Sequence, residues 1–221
     1  MASYFNLTLD TTAPTGVTLQ INSGALYATS RPVTLTIGVS DEQTTGYQMK
    51  VWGDIDGASE ETAASWETFA TEKSVTLTTG DGLKTVHVKV RDDVGNESAD
   101  VTDTITLNTA VPVVTVTGPD KSRISKVSGF DTSIINFTSD VAFDEYKVCV
   151  VTANSSTQDS GMTIGSTHGS INTSGTSGDY PASENIQVTI KAADLEAASS
   201  GDGTKIVKVF VKTEAGIWSV A

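Results

Sequence analysis

The sequence has few of the residues on which disulfide frameworks and metal–thiolate sites depend. It holds one cysteine, Cys149, and two histidines among 221 residues. A single cysteine forms neither an internal disulfide nor a thiolate metal site, so packing and main-chain hydrogen bonds must hold the fold. A chain of this length is either one large domain or two small ones, each able to bury its own core.

Positive charge and long apolar runs are also scarce. The chain has 14 basic against 27 acidic side chains, a formal charge of −13, which disfavours binding to nucleic acid or to anionic membranes. No apolar run approaches the roughly 18 residues that span a bilayer. The first residues (MASYFN) have neither a basic start nor an apolar core, so we expect no signal peptide and synthesis in the cytoplasm.

Serine and threonine are abundant, at 58 residues, and apolar residues alternate with polar ones in many short segments. This period of two predicts strands with one buried and one solvated face. Clusters of Gly, Asn, Asp and Pro separate the segments, as expected for an all-β sandwich. Only residues 192–199 are predicted to be helical. The predicted strands contain residues 33–37, 75–77, 86–90, 105–107, 188–190 and 207–211.

An internal repeat divides the sequence into two modules. Residues 80–90 (GDGLKTVHVKV) align without a gap with residues 201–211 (GDGTKIVKVFV), at an offset of 121. Residues 10–14 (DTTAP) align with residues 108–112 (NTAVP) at an offset of 98, so the second copy is longer by 23 residues. We predict modules at 12–109 and 110–221, the second with a long, exposed polar loop at 152–184.

The register of the repeat leaves one strand too many at the front. Residues 7–9 (LTL) match residues 105–107 (ITL), which form the closing strand of the first module, whereas the second module reaches Ala221 before its own closing strand. Residues 1–11 are therefore predicted to hold an N-terminal strand, and the hypothesis is that residues 4–9 of one copy complete the second module of another copy. Alternatively, residues 3–9 lie along the first module or fray, and the second module has six strands. The predicted exchange interface contains Tyr4, Phe5, Leu7, Leu9, Val209, Val211 and Trp218.

Candidate catalytic and metal-binding groups are sparse. His87 falls on the solvated face of a predicted strand, and His168 lies in the polar loop without partners at ligand spacing. Cys149 is predicted to be a small buried side chain on a strand, and we expect no enzyme activity and no catalytic residue. Two carboxylate groups are the remaining candidates, either as hairpin turns or as calcium ligands, calcium being the one cofactor considered. They are Asp54 with Asp56, and Asp92 with Asp93.

Aromatic and charged side chains give two further expectations. Six aromatic residues are predicted to fill the inner faces of the modules, namely Trp52, Trp66 and Phe69 in the first and Phe137, Tyr146 and Phe210 in the second. The one basic patch, Lys121, Arg123 and Lys126, is either a docking patch for an acidic surface or a solvated loop. Residues 1–109 carry 6 basic and 15 acidic side chains, a net −9, and residues 110–221 carry 8 and 12, a net −4.

Several of these segments together resemble a known family. The linker at 10–14, the turn at 54–57 (DIDG), the pair at 66–69 (WETF) and the stretches 80–82 and 91–96 (RDDVGN) resemble the bacterial immunoglobulin-like modules found in tandem in cell-surface and tailed-phage virion proteins. The resemblance covers the first module fully and the second chiefly at its final hairpin. It implies two tandem immunoglobulin-like β-sandwiches.

The resemblance and the expected lack of a signal peptide together favour one function. We expect a non-enzymatic structural protein of a bacteriophage virion, in the head, neck or tail, made in the host cytoplasm. Its expected partners are other copies and virion proteins, with a host surface glycan as a further possibility, and neither nucleic acid nor membrane. The alternative is an adhesion or carbohydrate-binding fragment at a bacterial cell surface.

Overall fold

The chain forms two compact units, Met1–Thr109 and Ala110–Ala221. This computed structural model describes residues 5–40, 46–164 and 180–220. Tyr4 and His168, which the sequence singled out, lie outside these described residues. Within the described ranges, no helix has both the length and the apolar character needed to cross a bilayer.

Unit 1 consists of eight strands among its described residues. They are β1 (Thr18–Ile21), β2 (Tyr27–Ala28), β3 (Pro32–Gly38), β4 (Gln48–Gly53), β5 (Glu67–Thr68), β6 (Glu72–Thr76), β7 (Gly82–Arg91) and β8 (Val101–Leu107). Two short 3₁₀ turns, Asn22–Gly24 and Glu61–Ala63, interrupt the connections.

The strands of unit 1 form two sheets around one core. One sheet has the order β1-β3-β6 and the other β2-β8-β7-β4-β5. The period-two pattern determines which side chains enter the core, because alternate residues of a strand point to opposite faces. On β7, for example, Val86, Val88 and Val90 are all fully buried. Both sheets contribute to a single apolar cluster.

Unit 2 has six strands and one short helix in the part of the chain that is described. The elements are β9 (Val114–Thr117), β10 (Thr132–Ser139), β11 (Glu145–Val151), β12 (Met162–Thr163), β13 (Ile186–Lys191), α1 (Ala192–Ala198) and β14 (Ile206–Lys212). The sheets have the orders β13-β10-β9 and β12-β11-β14. Alternate residues of β10, β11, β13 and β14 again form one core between them. The predicted strands at 188–190 and 207–211 and the predicted helix at 192–199 overlap β13, β14 and α1, whereas β12 lies in the segment predicted to be an exposed loop.

The polar segment 152–184 contributes more to unit 2 than an exposed loop would. Its β12 pairs with β11, and Ile164, which follows β12, is buried at 2% exposure. Tyr180 stacks on Phe143 with ring centroids 4.9 Å apart. Both ends of the segment therefore pack on the sandwich because they carry isolated apolar side chains, and residues 165–179 lie outside the described part.

Three of the six aromatic predictions are wrong about the face on which the side chain lies. Trp52 is buried, but it stacks on His87 at 5.2 Å, outside the inter-sheet core. Trp66 is half-buried between the charged groups of Lys50 and Arg91, at 4.7 and 4.4 Å from its ring. Phe210 belongs to a separate cluster with Cys149 and Val151. Long cationic side chains cover these rings on the outer face of the sheet.

Candidate functional site

The outer edge of β14 is the feature that distinguishes unit 2 from unit 1. On one side β14 pairs with β11 along its whole length, from Glu145 opposite Lys212 to Val151 opposite Ile206. On the other side, no strand among residues 5–40, 46–164 and 180–220 pairs with it. Only its last residues are paired there, through a bridge between Lys212 and Trp218.

The corresponding strand of unit 1 is covered on both sides. β7 pairs with β4 on one edge and with the closing strand β8 on the other. In the β7–β8 register Gly82 lies opposite Leu107, Lys84 opposite Ile105 and Val88 opposite Val101. The closing strand thus pairs with seven consecutive residues of β7 that correspond to residues 203–209 of unit 2 by the repeat.

The turn that leads into the two strands has the same backbone conformation in both units. Gly80 and Gly201 have φ of 86° and 82°, and Gly82 and Gly203 have φ of 129° and 135°. These values lie in the region that glycine alone adopts without strain. The lysine after each turn makes an equivalent hydrogen bond to a hydroxyl. Lys84 Nζ donates to Thr78 Oγ1 at 3.1 Å, and Lys205 Nζ donates to Ser199 Oγ at 3.2 Å.

The turn that leaves the two strands is repeated as closely. Val90 N–H donates to Ser98 Oγ at 3.0 Å, and Val211 N–H donates to Ser219 Oγ at 3.2 Å. The serine N–H donates back to the valine carbonyl at 2.8 Å in both units. The outer edge of β14 is therefore built on the same two turns as the corresponding edge of β7, but no strand of the described residues covers it.

The lack of a covering strand changes the length and the burial of β14. β7 begins at Gly82, whereas β14 begins at Ile206, three residues later in the repeat. The first residues of β7 are strand because they pair with β8, and residues 203–205 have no such partner in the described structure. Lys84 and Val86 are 8% and 0% exposed, while their counterparts Lys205 and Val207 are only half-buried.

The predicted exchange residues divide into two groups. Phe5, Leu7 and Leu9 are 85–87% exposed and lie in a segment without secondary structure. Val209 and Val211 are buried in the core of unit 2, so only their main chain is available at the edge. Trp218 lies against Lys147 and Lys212 on the outer face, at 4.8 and 5.6 Å. A strand added at this edge would meet main-chain groups of β14, not these three side chains.

The carboxylates considered as calcium ligands are bound within turns. Asp54 Oδ2 accepts the Thr85 N–H at 2.9 Å, and Asp56 pairs with the guanidinium of Arg31. In the described ranges, no three His, Cys, Asp or Glu side chains are grouped in a way that could hold a metal ion. Calcium binding at these residues stays a prediction from sequence.

Asp92 closes the second turn of unit 1. Its Oδ1 accepts the N–H groups of Val94 and Asn96 at 3.0 and 2.8 Å, and its Oδ2 accepts Asn96 Nδ2 at 2.7 Å. Burial alone would raise the pKa of Asp92, but hydrogen bonds from Asn96, Val94 and Gly95 outweigh it and hold the pKa below its usual range. In unit 2 the corresponding residue is Thr213, whose Oγ1 accepts the Ile217 N–H at 3.2 Å. Asp93, which follows Asp92 in the sequence, is exposed.

The basic patch lies on the exposed segment between β9 and β10. Lys121 Nζ donates to the Thr132 carbonyl at 3.3 Å, and Lys126 pairs with Glu196 of α1 at 3.2 Å. Arg123 is exposed between them. Two of the three cations therefore have partners within unit 2, and docking by this patch remains a prediction.

The candidate reactive side chains are engaged in packing. His87 Nδ1 lies 2.9 Å from Asp100 Oδ2, with its ring stacked on Trp52. Cys149 is buried at 1% exposure, and burial raises the pKa of its thiol. A protonated, inaccessible thiol is not a nucleophile at neutral pH.

The chain is similar to solved structures but not to a family model or a curated protein. No protein-family model and no curated protein matches the sequence. Among solved structures, the chain is similar to the fibronectin(III)-like modules of CbhA from Clostridium thermocellum, at 13% identity and a TM-score of 0.47, covering 92% of this chain and 90% of that one. It is also similar to chitinase ChiA74 from Bacillus thuringiensis, at 13% identity and a TM-score of 0.32, covering 92% of this chain and 30% of the chitinase. The sheets and cores of the two units themselves confirm the predicted fold class, an all-β chain of sandwich modules.

Proposed function

We propose that this chain is a non-enzymatic structural protein of a bacteriophage virion that acts through protein–protein contacts, as a head decoration, neck or tail component. The observation that carries the proposal is the outer edge of β14, with which no strand of the described residues pairs. An edge strand exposes a row of N–H and C=O groups that another chain can pair with. Here the edge is held by the same turns as a closed edge, so it is preformed for strand addition.

The proposal is supported by what the reactive groups do. His87 is packed against Trp52 and Asp100, and Cys149 is buried in the separate cluster that it forms with Val151 and Phe210. They are the histidine and the cysteine that the structure describes, and both make structural contacts. The proposed mechanism is therefore binding by main-chain pairing and apolar burial, without a cofactor.

Charge and sequence resemblance supply the finer part of the proposal. The net charge of −13 favours basic protein surfaces as partners over nucleic acid or membrane. The virion location rests on the resemblance to tandem modules of tailed-phage proteins. Its proposed partners are other copies of the chain and virion structural proteins, with a host surface glycan as a further candidate ligand.

Fractionation of the native protein tests this function. Particles are purified on a density gradient from a culture that produces the chain, and they are probed with an antibody against it. An abundant cytoplasmic protein is followed in the same fractions as the control. Co-sedimentation with particles, after nuclease and salt washes that remove the control, supports a virion protein. Recovery in the host cell envelope overturns that location and supports the surface adhesin. Recovery in neither fraction overturns both.

A further inference from the structure

The occupant of the open edge is encoded in the chain itself. We propose that residues 5–9 of one copy add as an antiparallel strand to the outer edge of β14 in a second copy. This inference rests on the proposed function and deepens it by naming the partner, the segment and the register.

The first support is the repeat between the N-terminal segment and β8. Residues 7–9 match residues 105–107 at an offset of 98. In unit 1, Ile105 and Leu107 point into the core with 1% of their surface exposed and seal the edge of β7. Leu7 and Leu9 carry the same pattern but are 87% and 85% exposed. A segment with the sequence of a sealing strand is thus left uncovered.

The second support is the register that the two offsets define. Transferring the β7–β8 pairing to β14 places Leu9 opposite Gly203, as Leu107 lies opposite Gly82. Leu7 then lies opposite Lys205, the counterpart of Lys84, and Phe5 opposite Val207. The half-buried Lys205 and Val207 are the positions whose counterparts are buried in unit 1. The added strand would therefore complete the burial of the two side chains that unit 2 leaves half-buried.

A third support comes from the residue that follows the closing strand. In unit 1, Asp81 accepts the Thr109 N–H at 2.9 Å and its hydroxyl at 2.8 Å, which fixes the end of β8 beside the turn. By the same offsets, the counterparts of this pair are Asp202 and Thr11. Both are exposed in this structure. The sequence therefore provides a second Asp–Thr pair that could fix the end of the proposed strand in the same way.

Paired cysteines test the register directly. Thr8 and Thr204 are exposed, lie opposite each other in the proposed pairing and correspond to Thr106 and Leu83, which are paired in unit 1. A T8C/T204C chain is oxidised, or treated with a short bis-maleimide, at high protein concentration. We expect a ladder of covalent multimers on a reducing gel after bis-maleimide, and on a non-reducing gel after oxidation. A mixture of T8C and T204C single variants should give one dimer, with the 8–204 link identified by mass spectrometry.

The matched control is T8C/L83C. Leu83 is 67% exposed and occupies the same place in the repeat, but β8 already covers that edge. It should give no 8–83 link, while all variants melt as the parent chain does because the changed side chains are exposed. Equal yields from T8C/T204C and T8C/L83C, or an 8–204 link found only within one chain, overturn the proposal. Either result leaves the particle fractionation unaffected, so failure here is separate from failure of the proposed function.

Discussion

Asp81 holds Thr109 by two hydrogen bonds, from the threonine N–H at 2.9 Å and from its hydroxyl at 2.8 Å. The contact joins the turn before β7 to a residue just after β8. It therefore fixes the end of the closing strand within unit 1. The repeat provides Asp202 and Thr11 at the corresponding positions.

Asp202→Ala should weaken association between copies without destabilising the monomer. The change removes two charge-assisted hydrogen bonds to Thr11 of the second copy, which corresponds to at least about a tenfold rise in Kd. Sedimentation velocity over a concentration series measures it. Glu214→Ala removes an equally exposed carboxylate elsewhere and should leave Kd unchanged. If D202A and the parent chain associate with the same Kd, the proposed contact between Asp202 and Thr11 is wrong.

Leu7→Asp should abolish association by the N-terminal segment. Leu7 is 87% exposed in the single chain, so the change costs the monomer nothing, whereas in the added strand it would place a carboxylate in the core of unit 2. Loss of a buried leucine is worth about 1.5–3 kcal/mol, and an ion pair between the new carboxylate and Lys205 opposite it does not replace the lost apolar burial. Mass photometry or sedimentation should show monomer only.

Thr8→Asp is the control for Leu7→Asp. Successive side chains of a strand point to opposite faces, so a charge at position 8 faces solvent in the proposed pairing. It should preserve association. If T8D and L7D weaken association equally, net charge and not strand burial governs it.

Asp92→Ala should lower the Tm of unit 1 by about 5 °C, because the N–H groups of Val94 and Asn96 lose their acceptor in a part-buried turn. Asp92→Thr should lower the Tm less, since Thr213 Oγ1 accepts the corresponding N–H in unit 2.

The folded-state pKa of Asp92 is lowered, so its stabilising effect is complete above the unfolded-state pKa and is lost as pH falls through the folded-state pKa. Calorimetry between neutral pH and about pH 3 should show a smaller loss for D92T than for the parent. Equal pH profiles would contradict the assignment.

Cys149 should react with thiol reagents only on unfolding. Its side chain is 1% exposed, and burial raises the pKa of the thiol, so the thiolate form is scarce at neutral pH. Alkylation monitored by mass spectrometry should be absent in buffer and complete in denaturant. T204C offers an exposed thiol on the same unit as a positive control. Labelling of Cys149 in the folded parent at the T204C rate would contradict its burial.

Much of the fold follows from local sequence pattern. Alternation predicts β3, β7, β8, β13 and β14, since a strand that buries one face must repeat its apolar residues every second position. It does not predict the face of Trp52, because Val51 and Trp52 are adjacent and both are buried, one in the core and the other under His87 and Lys89. Ile164 was missed for a related reason, since a single apolar residue in a polar segment has no period.

The candidate site divides in the same way. The repeat alone relates residues 7–9 to the closing strand of the first module, because such matches need no three-dimensional information. Only the tertiary structure shows that no strand of the described residues pairs with the outer edge of β14 while its turns are already formed, and that Val209 and Val211 are buried and offer main chain alone. The physical reason is that sequence determines which residues can pair, whereas exposure and pairing depend on which strand occupies the neighbouring position in the folded sheet.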